Sequence, residues 1–438
     1  MDLFKKIDET RGGTLGKYQD VAHGYFVFPK LEGEIGTMMK FRGKNVINWC
    51  MENYLGLAND ADVRRADADA AMQWGLGYPM GTRIISGQTS KHEELEDSIA
   101  RFLDKEDSFI VNFGYQAMAS AIDTLCNRYD VIVYDSEANA SIMDGILLHR
   151  AKGGKSFVYN HRDAENCRKK IQLAQSFISK EKQEAGIMVV TDGVFDMSGE
   201  VAPLREIAAL KDEFDFTLLV DDAYGFGVMG QTGQGTAHAQ GVADKVDLIF
   251  GSFAKAMAGI GGFIAGTEKV INYLRYNMRS QIFDESLPLA MVVGIQKRLQ
   301  IMQQQPERRE KLWLNARTLQ NGLRKAGFDL GNTQSTLTPV YIHPRVPVEP
   351  DVVTPDGELS QDDIAINASV SMVMSMRENY GIFCGMVKHP VVPPGYIMLR
   401  FMPTADHTLE QVEYTLKSLK ELKQKLEAGE FDNNALLK

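Results

Sequence analysis

The chain has 438 residues, of which 44% are hydrophobic and 24% charged, and its formal net charge is −10. This length is sufficient for a large core in two domains, and the composition is typical of a soluble globular protein. The acidic balance argues against a general nucleic-acid-binding protein, whose surface is normally basic. The four cysteines are far apart and form no C-x-x-C pair, which favours reduced thiols over a disulfide framework or a zinc site.

The N-terminal segment MDLFKKIDETRGG contains no long apolar run, and no other segment has the length of a transmembrane helix. We therefore expect a cytoplasmic protein without a signal peptide. Peripheral contact with a membrane surface is left open by the sequence.

The first 50 residues are predicted to form an N-terminal arm and a short hairpin, since KFRGKNVINW has a strand–turn–strand pattern. The next clear element is a helix in SKHEELEDSIARFL. Ser90 and Glu93 fit a capping box at its start. Apolar residues then repeat at helical spacing, at Leu95, Ile99 and Phe102.

The middle of the chain alternates short apolar runs with helical patterns, which predicts a large α/β domain over residues 51–290 with a mainly parallel, buried sheet. The runs are SFIVNFG (108–114), DVIVYD (130–135), GIMVVTDG (186–193), FTLLVDD (216–222), VDLIFGS (246–252) and GGFIAG (261–266).

Residues 291–438 are predicted to form a smaller α+β domain. A long helical stretch over about 288–326 leads to the strand-like runs TPVYIHP, GIFCGMV and YIMLRFMP. A Pro- and Asp-rich insertion is expected at 344–363. The last helix begins at Thr408 and has one apolar face, formed by Leu409, Val412, Leu416, Leu419 and Leu426.

One lysine, Lys255, lies alone among small and apolar residues in LIFGSFAKAMAGIGGFIAG (248–266). One interpretation is a glycine-rich turn whose lysine extends to the surface. The other is a desolvated lysine with a depressed pKa, which can act as an amine nucleophile and form a Schiff base.

Two more predicted strands end in polar groups, where parallel strands place a ligand. FTLLVDD ends in Asp221 and Asp222, and SFIVNFG leads into Gly114 and Tyr115 before a helix-compatible segment. Together with Lys255, these groups fit a pyridoxal phosphate site with an imine-forming lysine, a carboxylate at the pyridine nitrogen and a helix N-terminus for the phosphate. Taken singly, the aspartates are explained equally well as a helix cap and Gly-Tyr as a turn.

Seven motifs together resemble the α-oxoamine synthases, which are pyridoxal-phosphate enzymes of fold type I, over about residues 45–425. The resemblance implies a mainly parallel central sheet and a smaller C-terminal domain. The motifs are NYLGLAN (53–59), GTRIISGQTSKHEELE (81–96), NASIMDG (139–145), TDGVFDMSG (191–199), VDDAYGFGVMGQTGQGT (220–236), GSFAKAMAGIGG (251–262) and VPPGYIMLRFMPTADHT (392–408).

The family condenses an amino acid with an acyl thioester and releases carbon dioxide and the thiol. The resemblance implies that Lys255 holds the cofactor and exchanges protons at the α-carbon, and that Asp221 pairs with the pyridine nitrogen. It also implies that Gly114 and Tyr115 hold the phosphate, helped by the Ser252 hydroxyl.

The remaining implied site residues concern the substrate. Arg400, alone in the apolar run YIMLRFM, would bind the amino-acid carboxylate through two hydrogen bonds. Asn53 and Arg83 would lie at the edge of the substrate site. His92 and His407 are interpreted as structural or capping residues.

Three positions near the expected cofactor ring depart from the family pattern. Asn139 replaces a histidine that normally stacks on the cofactor, and Tyr224 replaces a histidine that bonds the ring hydroxyl. Both remain candidate catalytic and cofactor-binding residues, because each offers hydrogen-bonding groups. Asp196 replaces a serine and is also a candidate cofactor contact. Its carboxylate is unfavourable near an anionic ring oxygen unless it is paired or turned away.

The segment from GYFVFPKLEG onward most resembles the bacterial long-chain-base synthases, which form homodimers and use a long-chain acyl thioester. We favour cysteate as the amino acid because the ring environment is altered. Serine is the second choice of amino acid, and glycine with a short acyl-CoA is the third. An aminotransferase or lyase without acyl transfer, an inactive relative and a non-catalytic partner subunit are further alternatives, of which the last two are disfavoured by the presence of Lys255.

Overall fold

The computed structural model describes residues 2–10, 22–179, 184–343, 361–389 and 391–432. Most of the predicted insertion, residues 344–360, lies outside these ranges. All four cysteines are free thiols.

The described residues contain fourteen strands and fourteen α-helices. The strands are β1 (Leu31–Glu32), β2 (Met38–Phe41), β3 (Lys44–Asn48), β4 (Asp107–Val111), β5 (Val131–Asp135), β6 (Lys155–Tyr159), β7 (Ile187–Asp192), β8 (Thr217–Asp221), β9 (Leu248–Ser252), β10 (Gly262–Gly266), β11 (Thr338–Ile342), β12 (Ile382–Phe383), β13 (Gly385–Val387) and β14 (Ile397–Phe401). The helices are α1 (Leu3–Thr10), α2 (Ala61–Trp74), α3 (Ser90–Phe102), α4 (Gly114–Leu125), α5 (Ala140–Ala151), α6 (Ala164–Ile178), α7 (Leu204–Ala209), α8 (Thr236–Ala239), α9 (Glu268–Asn277), α10 (Arg279–Ile282), α11 (Leu289–Gln304), α12 (Pro306–Lys325), α13 (Gln361–Glu378) and α14 (Leu409–Glu427).

Seven strands form the central sheet in the order β4–β10–β9–β8–β7–β5–β6. Neighbouring strands are parallel from β9 to β6, whereas β10 is antiparallel to both β4 and β9. Helices α6 and α7 pack on one face of the sheet, and α4, α5 and α9 pack on the other. Because both faces are covered, the strands are continuous apolar runs. The predicted mainly parallel sheet is confirmed.

This topology sets the orientation of the strands that carry the predicted site. Since β10 is antiparallel to β4 and to β9, those two strands run in the same direction. The carboxyl ends of β4, β8 and β9 therefore lie at one edge of the sheet. The residues that follow these three strands can converge on a single ligand there.

Strand β6 was not predicted from the sequence. It is the edge strand next to β5, and its side chains are mostly exposed or half-buried, with only Tyr159 buried. An edge strand covered on fewer sides lacks the continuous apolar run that identifies its neighbours.

The predicted capping box at Ser90 and Glu93 is wrong. The N-cap of α3 is Thr89, whose hydroxyl accepts a hydrogen bond from the His92 backbone N–H. Thr89 has the extended backbone that an N-cap requires. The Glu93 carboxylate instead accepts a hydrogen bond from Gln88 Nε2 at 2.9 Å.

The predicted hairpin is β2 and β3, which pair across a two-residue turn at Arg42 and Gly43. Both turn residues have positive φ, 51° and 81°, as tight hairpins require. Strand β12 pairs in parallel with β3, so the hairpin shares a four-stranded sheet with the C-terminal part of the chain. The division of the chain into three parts at residues 50 and 290 stays a prediction.

The C-terminal part also contains a three-stranded sheet in the order β11–β14–β13. The predicted helical stretch is two helices, α11 and α12, because Pro306 lacks the N–H needed to continue α11. Helix α14 begins after Thr408, which forms a capping box with Gln411. Its apolar face begins at Val412, since Leu409 is exposed, contrary to prediction. No helix in the described ranges is long and apolar enough to cross a membrane.

Candidate active site

Lys255 lies in the turn after β9 and contacts two side chains from distant parts of the chain. Its Nζ is 2.5 Å from Oε2 of Glu52 and 4.6 Å from the centroid of the Tyr224 ring. The Lys255 side chain is only 17% exposed. The interpretation of Lys255 as a lysine extending to the surface is therefore wrong.

The pKa of Lys255 differs from the sequence-based expectation. Burial lowers the pKa of Lys255, but Tyr224 and Glu52 outweigh this effect and raise the net pKa above its ordinary value. The expected depressed pKa is wrong because the sequence does not show a carboxylate beside the amine. Tyr224 and Glu52 therefore favour the ammonium form of a free Lys255 side chain.

Polar contacts continue from Glu52 to Arg400 through Tyr224. The Tyr224 hydroxyl donates to Glu52 Oε1 at 3.2 Å, and Arg400 Nη2 donates to the Tyr224 hydroxyl at 3.1 Å. Arg400 lies in β14, and its buried Nε has no hydrogen-bond partner within the described residues. Arg400 therefore retains donor capacity for a further acceptor such as a carboxylate.

Asp221 lies at the carboxyl end of β8 and is buried. Its Oδ1 accepts a hydrogen bond from the Ala223 N–H at 3.1 Å. Burial raises the pKa of Asp221 to about 7, with the charges of Asp222 and Asp196 adding to the shift and that of Lys255 opposing it. A cationic ring nitrogen beside Asp221 would stabilise its ionised form.

Asp222, the neighbour of Asp221, has a structural role. Its carboxylate accepts hydrogen bonds from the Thr236 N–H at 2.6 Å and the Thr236 hydroxyl at 2.5 Å. A Cβ at Gly225 or Gly235 would lie 2.0 Å from Asp222, so the loop requires glycine at both positions. Asp222 thus fixes the loop that carries Tyr224.

Asn139 and Asp196 contact each other, which explains the unexpected carboxylate. Asn139 Nδ2 donates to Asp196 Oδ2 at 3.3 Å, while Asn139 Oδ1 caps α5 by accepting from the Ser141 N–H at 3.0 Å. The Asn139 backbone N–H donates to buried Asp192 at 3.0 Å. The charge of Asp196 also contributes to raising the pKa of Arg400. Asp196 is thus paired with a donor and lies within the field of a cation.

Gly114 and Tyr115 form the first turn of α4, where no side chain caps the helix. The helix N-terminus therefore presents backbone N–H groups at the same sheet edge as Lys255. The Tyr115 hydroxyl donates to Asp144. Ser252, at the end of β9, is buried, and its Oγ accepts a hydrogen bond from the Ala254 N–H at 3.1 Å.

Two predicted substrate residues have structural contacts. Asn53 is buried, and its Oδ1 accepts from the Ala58 N–H at 3.0 Å, although its Nδ2 has no partner within the described residues. Arg83 Nη2 donates to buried Glu96 at 3.0 Å, and its guanidinium lies over the Phe109 ring. The contacts of Arg83 do not include Lys255 or Arg400.

The two histidines interpreted as structural are both buried. His92 Nε2 is 2.9 Å from the Leu287 carbonyl, and burial lowers the pKa of His92 to about 4. His407 stacks on Trp49 with ring centroids 3.9 Å apart, and burial lowers its pKa to about 3. Neither ring contacts the Lys255 site.

A family model described as "Aminotransferase class I and II" matches residues 44–419. The chain belongs to this family. It is 47% identical over 430 residues to the cysteate-C-fatty acyltransferase of Capnocytophaga ochracea, covering 98% of this chain and 96% of that protein. It is 34% identical to the serine palmitoyltransferase of Sphingobacterium spiritivorum, covering 90% of this chain and 91% of that one.

A solved structure agrees with this assignment. The serine palmitoyltransferase from S. paucimobilis with a bound PLP–myriocin aldimine matches with a TM-score of 0.82 and 26% identity. The match covers 98% of this chain and 100% of that one. The fold type I architecture and the resemblance to the α-oxoamine synthases are thus confirmed, and the chain is an enzyme of the pyridoxal-phosphate-dependent class.

The residues at the sheet edge fit pyridoxal phosphate. Lys255 is a half-buried amine, Asp221 is a carboxylate with no cationic hydrogen-bond partner among the described residues, and α4 presents uncapped backbone N–H groups. These groups match the aldehyde, the ring nitrogen and the phosphate of the cofactor.

Sequence reasoning missed Glu52. The family motif begins at Asn53, one residue later, and Glu52 is 203 residues from Lys255 in the chain. An acidic residue directly before NYLGLAN, between the apolar Met51 and a buried asparagine, was the only signal. The sequence does not show that the segment containing Glu52 contacts the turn after β9, where Lys255 lies.

Proposed function

We propose that the enzyme condenses cysteate with a long-chain acyl thioester, with loss of carbon dioxide and the thiol, to give a 3-keto sulfonolipid base. The observation that carries this proposal is the 47% identity to a cysteate-C-fatty acyltransferase over nearly the whole chain, against 34% to a serine palmitoyltransferase. The Lys255, Asp221 and Arg400 arrangement supports a working site rather than an inactive relative.

When bound, pyridoxal phosphate supplies an electron sink for the pair of electrons released at the amino acid's α-carbon. Asp221 would keep the ring nitrogen protonated by presenting an ionised carboxylate to it. Lys255 Nζ, as a neutral amine, would take the α-proton of the bound amino acid. Arg400 would hold the substrate carboxylate with its free donors, which fixes the bonds around the α-carbon.

The hydrogen bonds near the site fit roles for Asn139, Tyr224 and Asp196. The Asn139 amide is oriented by Ser141 and donates to Asp196, so it would position that carboxylate rather than contact the substrate. Tyr224 would present its hydroxyl close to the substrate carboxylate held by Arg400. Gly114, Tyr115 and Ser252 would bind the phosphate, and Asn53 would line the site through its unpartnered Nδ2.

Serine is the second candidate substrate. Asp196 is half-buried near Arg400 and Asn139, and Glu52 lies beside Lys255, so the site contains two carboxylates that disfavour an anionic side chain. A hydroxyl would tolerate them better than a sulfonate does. The two carboxylates thus favour serine, whereas the sequence identity favours cysteate, and a direct comparison of substrates distinguishes them.

That comparison uses cysteate, serine, glycine and alanine, each with palmitoyl-CoA and with acetyl-CoA, and measures thiol release and product mass. We expect the highest kcat/KM for cysteate with palmitoyl-CoA and a product retaining the sulfonate. A preference for serine would identify a sphingolipid-type enzyme instead. Equal rates for all four amino acids would contradict the proposed specificity. Asn139→His and Tyr224→His should change the ranking, because Asn139 positions Asp196 and Tyr224 contacts Arg400.

Arg400→Ala is expected to weaken amino-acid binding by about 1.5–3 kcal/mol, roughly 10- to 150-fold, because a charged hydrogen-bond pair to the carboxylate is lost. Spectral titration of the bound cofactor with cysteate and serine measures this affinity. Cofactor affinity should change much less. Arg324→Ala, an exposed arginine at the end of α12, is the matched control. An unchanged amino-acid affinity in Arg400→Ala would place the carboxylate elsewhere.

The enzyme is further expected to be a cytoplasmic homodimer with sites near the subunit interface. Four large apolar side chains at the C-terminal end of α2 and in the segment that follows it are 74–87% exposed: Met72, Leu76, Met80 and Ile85. Such a patch favours burial against a second copy. Light scattering should give twice the chain mass, and a fully active monomer would contradict this expectation.

A further inference from the structure

Glu52 is in direct contact with the amine of Lys255. Its Oε2 is 2.5 Å from Lys255 Nζ, in contact with the nitrogen that holds the cofactor in the proposed reaction. In that reaction the substrate nitrogen replaces Lys255 Nζ at the same carbon atom. A group that contacts the lysine nitrogen is therefore next to the incoming nitrogen.

The charges of the site match the two charges of an amino acid. The carboxylate is assigned to Arg400, which leaves the ammonium group without a counter-charge. Of the described carboxylates, Glu52 alone has a hydrogen bond to Lys255 Nζ. Asp196 is engaged by Asn139, and Asp222 by Thr236.

Tyr224 fixes the spacing between the two charges. Its hydroxyl donates to Glu52 Oε1 at 3.2 Å and accepts from Arg400 Nη2 at 3.1 Å. Glu52 and Arg400 are thus separated by two hydrogen bonds in series, a span that an amino acid's ammonium and carboxylate groups can bridge. The second oxygen, Oε2, is left to face the nitrogen.

We propose that Glu52 binds the α-ammonium group of the incoming amino acid and accepts the proton that this group must lose before attack. In this step an N–H bond of the ammonium breaks, an O–H bond forms on Glu52, and the electron pair stays on nitrogen. Glu52 is then a substrate-binding residue that selects α-amino acids over other carboxylates. The inference rests on the proposed reaction, but it does not depend on which side chain the amino-acid substrate carries.

The test compares wild type, Glu52→Gln and Glu52→Asp as holoenzymes. Affinity for cysteate and for serine is measured by spectral titration of the bound cofactor at pH 7 and at pH 9. Inhibition by 3-sulfopropanoate and 3-hydroxypropanoate, which lack the amino group, is measured in parallel. Glu307→Gln, an exposed glutamate in the first turn of α12, is the matched control.

We expect Glu52→Gln to weaken amino-acid binding at least tenfold at pH 7 and much less at pH 9, where more of the amine is already neutral. Glu52→Asp should recover part of the loss, and inhibition by the two analogues should not weaken. An equal loss at both pH values, or an equal loss for the analogues, would overturn the inference. Because binding is measured, failure to form a sulfonolipid product would contradict the proposed substrate without affecting this result.

Discussion

Replacing Lys255 by alanine is expected to lower kcat by at least about 10³-fold, because the amine proposed to hold the cofactor and to act as the base at the α-carbon is lost. The effect should be on chemistry more than on folding. Within the described part of the chain, the Lys255 amine contacts Glu52 and Tyr224, at the edge of the core. Because the Glu52 side chain is partly exposed, water can solvate its carboxylate once the ion pair with Lys255 is removed.

Three measurements check this expectation: thiol release, the visible absorbance of the bound cofactor, and peptide mapping after borohydride reduction. The wild type should be yellow and should carry the cofactor mass on the peptide containing Lys255. Lys269→Ala, at an exposed position in α9, should behave as the wild type. Finding the label on another lysine, or full activity in Lys255→Ala, would contradict the assignment.

The sheet and the convergence of its strand ends could be predicted from the sequence because buried parallel strands are continuous apolar runs. Asp221, Ser252 and Lys255 follow such runs directly, so their common edge follows from strand direction. The edge strand β6 could not be found in this way, because its exposure interrupts the apolar pattern. The antiparallel direction of β10 leaves no mark in its composition.

The electrostatics of the site could not be predicted, since they depend on contacts between distant segments. The pKa of Lys255 is raised by Tyr224 and by Glu52, and Glu52 comes from a segment 203 residues away. The sequence does not show the hydrogen bond from Asn139 that pairs the Asp196 carboxylate. Arg83 belongs to a family motif, yet its guanidinium pairs with buried Glu96 in this structure.

The adjacent carboxylates Asp221 and Asp222 are expected to have different roles, Asp221 in catalysis and Asp222 in stability. Both are buried, and burial raises the pKa of Asp221 to about 7 and that of Asp222 to about 6. Only Asp222 has side-chain hydrogen bonds that hold a loop, through both donors of Thr236. Asp221 accepts one backbone hydrogen bond and is the carboxylate proposed to pair with the ring nitrogen of the cofactor.

The pKa of Asp221 has a definite consequence for stability. Because its folded-state pKa is raised above the ordinary value of 3.8, the folded chain binds this proton more tightly than the unfolded chain does. Any stabilisation from the protonated group is therefore lost as pH rises from about 4 to about 7. Without added cofactor, a variant lacking Asp221 should gain thermal stability relative to the wild type between pH 5 and pH 8.

We therefore expect Asp221→Ala to lose roughly 150- to 5,000-fold in kcat, since breaking a buried charge pair costs about 3–5 kcal/mol. Asp222→Ala should instead lose about 1–3 kcal/mol of stability for each Thr236 donor left unpartnered, with a smaller loss of kcat in the folded fraction. Thiol-release kinetics and thermal unfolding at pH 5 and pH 8 measure both effects, with Asp215→Asn as an exposed control. Equal losses of activity and stability in the two variants would contradict the division, because it would mean that both carboxylates act only through the fold of the loop between β8 and α8.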